Sequence, residues 1–158
     1  MKAFLNLLLV LFTISLFGCR NECQYIEPAS VGNGWIALDL KDKATGDYLI
    51  GKAPSKHLPA DVFVTGINGL PADFDYSEIA ASKGHYQLNL KDFHSEVVIG
   101  QDICKRFFID LKNDADTLDL YFKVKSVKCG GTTYEYFTAK FNGLPLENTG
   151  YNSYVIHK

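Results

Sequence analysis

From Trp35 onward the chain alternates apolar and polar residues in short runs. In the first run Ile36, Leu38 and Leu40 share one face, and Trp35, Ala37 and Asp39 the other. A period of two residues is the pattern of a strand with one buried face. The pattern resumes at Tyr48–Ile50, 61–67, 85–90, 103–111, 117–128, 133–141 and 151–157, with a short apolar stretch at 97–99. Between the runs lie turn residues: 41–47 with Gly46, Asn68-Gly69, 112–116, the Gly130-Gly131 reversal and Asn142-Gly143. Each suits a reversal because Gly and Asn tolerate a left-handed backbone. The 76–82 stretch reads as one or two helical turns with Ile79 facing inward, too short for a helix stable alone. About eight short strands with turn signals between them predict an all-β fold, a single antiparallel β-sandwich of about 7–8 strands. Ile67-Asn68-Gly69-Leu70-Pro71 is echoed by Phe141-Asn142-Gly143-Leu144-Pro145. The echo reads as one turn chemistry used twice or as a duplicated sheet edge.

The first nineteen residues follow another pattern. After Lys2, residues 3–17 are apolar except for Asn6, Thr13 and Ser15, and Arg20, Asn21 and Glu22 follow at once. A charged start and a short apolar core make a secretory signal, and the run falls short of the ~20 residues that span a bilayer. The sequence Leu16-Phe17-Gly18-Cys19 resembles the lipobox of bacterial lipoproteins, in which a peptidase cuts before a Cys that carries lipid on its sulfur. The resemblance implies that residues 1–18 are removed and that Cys19 holds acyl chains such as palmitate. The mature chain would then sit in the bacterial envelope, anchored to the outer membrane. An ordinary signal peptide with an incidental Cys19 thiol, or an uncleaved anchor, stays open from the residues alone. Residues 19–33 show no apolar period and hold Pro28, Ser30, Gly32 and Asn33. They read as a tether leading to one domain over 34–158.

Composition sharpens the picture. Nine Tyr and eleven Phe stand against one Met, which favours pleated, half-buried surfaces. The net charge is −2, and loss of Lys2 with the leader makes it −3. The basic residues of 123–128 alternate with Val124, Ser126 and Val127, as on the solvated face of a strand. The chain thus lacks the basic footprint of a nucleic-acid binder.

Four Cys are present. With Cys19 lipidated, Cys23, Cys104 and Cys129 remain, and an oxidising compartment would pair two of them. The expected pair is Cys104–Cys129, with Cys23–Cys129 as the other possibility. A hairpin turning near Asp114 would set Cys104 against Lys125, so the first pair needs a bulge or strands in different sheets. No CxxC motif and no His lies near these Cys at the spacing zinc requires.

The stretch Leu38-Asp39, Thr45-Gly46, Leu49 and Val62–Val64 resembles transthyretin-like and carboxypeptidase-regulatory-like sandwich domains. Residues 113–120, Lys128-Cys129 and Phe141-Asn142-Gly143 look like small uncharacterised lipoproteins of Gram-negative bacteria that carry such domains. Both resemblances imply a fold and a location, with no catalytic residue to transfer.

Candidate chemistry is sparse. Asp110, Asn113, Asp114 and Asp116 gather hard oxygen ligands that suit calcium, although Asp and Asn also serve turns through their own backbone hydrogen bonds. The four His are scattered, and neither a nucleophile elbow nor HExxH is present. Trp35, Tyr134 and Tyr136 read as aromatics off the main apolar face, the kind that stack on a sugar or anchor a partner protein. The leading expectation is a non-catalytic binding or accessory module, for a glycan or an envelope protein, without a cofactor. The alternative is an assembly subunit that pairs through a sheet edge, and the third is an envelope hydrolase.

Overall fold

The computed structural model describes residues 34–52, 55–91, 93, 97–127, 132–150 and 152–158. The expected leader and tether, with Cys19 and Cys23, and also Cys129, lie outside them. The strands are β1 (Trp35–Lys41), β2 (Val62–Gly66), β3 (Phe74–Glu78), β4 (Tyr86–Lys91), β5 (Asp102–Leu111), β6 (Ala115–Ser126), β7 (Thr132–Phe141), β8 (Leu144–Pro145), β9 (Asn148–Gly150) and β10 (Ser153–His157). Among the described residues the only helical element is a 3-10 turn at Pro59–Asp61.

The fold is all-β, with two open five-stranded sheets in a sandwich-like arrangement. The first has the order β3-β4-β1-β10-β9 and the second β2-β5-β6-β7-β8. Alternation explains the core. Ile36, Leu38 and Leu40 from β1, Leu88 and Leu90 from β4, and Tyr154 and Ile156 from β10 join Val62, Val64, Ile109, Leu111, Leu118, Leu120, Phe122 and Ala139 of the second sheet in one apolar cluster. Phe122 is fully buried and stacks on Phe137 at 5.8 Å.

Several expectations need correction. Among the described residues there are ten strands rather than seven or eight, because β8 and β9 have only two and three residues, too few to show a period. The sheets are not wholly antiparallel: β1 and β10 run parallel, with Ala37 opposite Ser153 and Lys41 opposite His157. Residues 74–78 form an edge strand where helical turns were expected around 76–82. Phe74 pairs with Leu90 and Tyr76 with Leu88, and those partly buried rings decide the conformation. The short apolar stretch at 97–99 lies outside the strands, as read, with Val98 and Ile99 about half exposed.

The hairpin of β5 and β6 turns on two residues, Lys112 (φ 54°) and Asn113 (φ 72°), with Leu111 N–H donating to Asp114 O at 3.1 Å. Two positive φ values in a two-residue loop make a type I′ turn. The turn therefore comes earlier than Asp114, and Cys104 faces Tyr121 instead of Lys125. The two Asn-Gly repeats adopt different turns. Asn142 (φ 49°) and Gly143 (φ 79°) form another two-residue loop between Phe141 and Leu144. At the first repeat only Gly69 is left-handed. Gly69 N–H donates to Gly66 O and Gly66 N–H to Leu70 O, each at 2.9 Å. This is a three-residue loop closed by a bulge.

Candidate functional site

The two sheets have unequal edges, and one inequality makes a groove. β2 ends at Gly66 opposite Phe107, while β5 continues to Asp102 against β6. Beyond Gly66 the Asn68-Gly69 loop turns the chain back along the outer side of β2, where Thr65 meets Pro71 and Ala72 N–H donates to Val64 O at 2.9 Å. Among the described residues no strand continues β2 beside Cys104–Arg106. The space left there is a groove of about 660 Å³. Its lining comes from the loop (Ile67, Asn68, Leu70 and Pro71), from Ala72, Asp73, Lys91 and Phe93, and from Cys104 to Phe107 of β5.

The rim is apolar and open to solvent. Ile67 is 76% exposed and Leu70 62%, because the tight turn holds their side chains away from the core. On the outer face of β5, Arg106 lies opposite Asp119 of β6. Arg106 Nε donates to Asp119 Oδ1 at 2.6 Å and a terminal nitrogen to Oδ2 at 2.8 Å. The Asp119 side chain is almost wholly buried while that of Arg106 is about half exposed. The Arg106 hydrogen bonds hold the Asp119 carboxyl below its ordinary pKa against the effect of burial. The same pairing raises the Arg106 guanidinium. Lys140, across from Asp119 on β7, caps the Tyr121 ring at 5.0 Å. Lys91 on the groove wall is bonded to Asp75.

The residues singled out from sequence are dispersed by the fold. Trp35 is 42% exposed and pairs with Lys91, which puts it next to the groove wall. Tyr134 turns toward the core instead of away from it. Its ring lies 5.0 Å from Phe137 and 5.9 Å from Phe122. The cause is a bulge: Lys123 faces Tyr136 but Val124 faces Tyr134, so Glu135 is an extra residue and the alternation changes phase. The backbone of Tyr136 is placed by that register, and its side chain lies outside the described part.

Cys104 is a free, exposed thiol on the groove wall, and its expected partner Cys129 lies outside the described residues. The four calcium candidates do not converge. Asp110 Oδ1 accepts the Asn113 N–H at 2.7 Å. Lys158 Nζ lies 3.0 Å from Asp114 and also bonds Asp116. Among the described residues no group of three or more His, Cys, Asp or Glu is placed to hold a metal.

Ser82 Oγ and His85 Nδ1 lie 2.9 Å apart in the turn between β3 and β4. The nearby Glu78 carboxylate accepts the Gly84 N–H at 2.7 Å. A reverse turn is thereby clasped at two points.

Sequence reasoning missed Ile67, Leu70 and Arg106. The signal available was two large apolar residues flanking Asn-Gly, a turn dipeptide that faces solvent. No family model, curated protein or solved structure matches this chain.

Proposed function

We propose that this protein is an exported, lipid-anchored binding module of the bacterial envelope, held at the outer membrane through Cys19. In this reading it carries a β-sandwich of the transthyretin-like or carboxypeptidase-regulatory-like kind. It works without catalysis by engaging an envelope protein. The observation that supports a protein ligand is the groove beside Cys104–Arg106, with Ile67 and Leu70 standing exposed on its rim. Large apolar side chains grouped at a concave site are the usual anchors of a protein contact.

The test is photocrosslinking in cells, from a benzophenone side chain placed at Ile67 or Leu70, with Ser77 on the outer face of β3 as control. Adducts to one envelope protein from 67 and 70, and none from 77, are expected. No adduct at 67 and 70, or equal labelling from all three positions, overturns the groove reading. The anchor is tested separately: Cys19→Ser should move the protein from the membrane to the soluble fraction, and unchanged partition refutes it.

A second reading, glycan binding, is favoured by Trp35. Its face of the first sheet carries a fixed polar row in which Asn89 Nδ2 bonds Asp75 at 2.9 Å and Ser77 at 3.1 Å, and Gln87 bonds Asp39 at 2.9 Å. One half-exposed indole beside oriented amides suits a single sugar ring. Trp35→Ala should abolish any binding to soluble oligosaccharides if this reading holds. Tyr134, expected from sequence as another sugar-stacking aromatic, is instead turned into the core.

A further inference from the structure

We infer that the groove receives an extended polypeptide segment that adds to the second sheet as a strand alongside β5, and that this segment alternates apolar and acidic residues. The inference rests on the groove being the binding surface proposed above, and it names the chemistry of the occupant.

The argument begins with backbone direction. Lys112 N–H donates to Asp61 O at 3.0 Å, so the even-numbered residues of this strand turn their N–H and C=O groups toward β2. Gly66 N–H and Val64 O are bonded on the opposite side, to Leu70 and Ala72. Hence the β2 residues that face β5 are Phe63 and Thr65, opposite Asp110 and Phe108. Two residues further along β5 comes Arg106, and two beyond it Cys104. By strand periodicity both present N–H and C=O to the side that β2 has left. An incoming strand would take the place of an extended β2.

Side-chain chemistry follows from the pleat. Alternate side chains of such a strand point inward, over Phe93 and Phe107 and beside the Ile67–Leu70 rim, and these must be apolar. The others point outward, beside Arg106. Asp119 occupies two guanidinium N–H groups. Of the five that arginine carries, three remain on a half-exposed, already oriented side chain. A carboxylate on the partner matches them, and an ammonium is repelled. Charge complementarity and the row of backbone groups that no described strand takes therefore select the same ligand, a strand with an acidic residue between apolar ones.

The experiment uses the full-length protein in detergent micelles and the probe acetyl-Val-Glu-Val-Glu-Val-amide. Hydrogen exchange at the Cys104 and Arg106 amides should slow by about tenfold or more at saturation. A Lys-for-Glu probe, and a probe with alternate amides N-methylated, should each bind at least ~10-fold more weakly, the scale of one lost charged or backbone contact. Arg106→Gln should narrow the gap between the Glu and Lys probes. Because that variant also disturbs Asp119, the probe comparison on the unaltered protein decides the matter. No binding at millimolar probe, equal binding of the N-methylated probe, or binding without protection of either amide overturns strand addition. If crosslinks from Ile67 and Leu70 still form in those cases, the groove reading stands and only strand addition falls.

Discussion

Asn142 offers a stringent test of how the second sheet is held. It begins the two-residue loop between β7 and β8 at φ 49°, a conformation that costs alanine about 1 kcal/mol more than asparagine or glycine. Its side chain works on a neighbouring strand. Oδ1 accepts the Thr117 N–H at 2.9 Å, and Nδ2 donates to Asp116 Oδ1 at 2.7 Å. Asp116 is only 6% exposed and keeps Lys158 as its other partner, so loss of Asn142 leaves it half served.

The two side-chain bonds together contribute about 1–2 kcal/mol, allowing for that second partner and for the exposure of the loop. Asn142→Ala removes both the backbone preference and the bonds and should cost about 2–3 kcal/mol. Asn142→Gly keeps the backbone preference and should cost about 1–2 kcal/mol. Equilibrium urea unfolding at pH 7 reads both values. Asn68→Ala is the control. In the echoed turn the positive φ belongs to Gly69, and Asn68 makes one bond, to the Leu70 N–H at 3.1 Å, so the loss should be about 0.5–1 kcal/mol. Equal costs for the Ala and Gly variants at 142, or an Asn68→Ala loss as large as that of Asn142→Ala, would refute the assignment of different turns to identical dipeptides.

Three further outcomes are expected. Deleting Glu135 should leave the fold intact, because the bulge vanishes while Val124 keeps Tyr134 as its partner; a near-native circular dichroism spectrum and core Tyr fluorescence check it, and global unfolding would disprove the bulge. Gly51→Ala should destabilise by about 1–3 kcal/mol, since a Cβ there would sit 2.2 Å from Ser55 Oγ and 2.7 Å from Gly84 O, as thermal unfolding would show. His57 is held below its ordinary pKa, first by burial and then by the nearby Lys56 charge. Its neutral form is favoured in the fold, so its contribution is full above pH ~6.5 and declines as pH falls toward the lowered value. His57→Gln should flatten the acid side of the stability–pH curve relative to the native chain, and identical curves would sink the reasoning.

How much of this was legible in the chain depended on whether a feature is local. β1, β5 and β6 announced themselves, because each buries one face and so repeats with period two. β3 did not: it is an edge strand in which only Phe74 and Tyr76 show the inward face, and Tyr76 also reaches across to Pro59 O at 3.1 Å. The phase change at Glu135 was invisible, since alternation read on either side of a bulge looks equally regular. It sent Tyr134 to the wrong face. The groove was harder still, because it arises where β2 stops and β5 does not. The residues of the turn were read correctly, yet the difference in length between two strands distant in sequence leaves no mark on either.

The parallel pairing of β1 with β10 has a consequence for when the protein takes shape. β1 lies in the middle of its sheet between β4 and β10, and Ser153–His157 is made more than a hundred residues after Trp35–Lys41. Until Ser153–His157 has been made, one side of β1 has nothing to bond to, and Ile36, Leu38 and Leu40 lack part of their cover. Contacts so distant in sequence close late and slowly. The first sheet therefore cannot finish until Ser153–His157 has been made. The pairing of Leu40 with Ile156 acts as a lock that sets only when this late strand arrives.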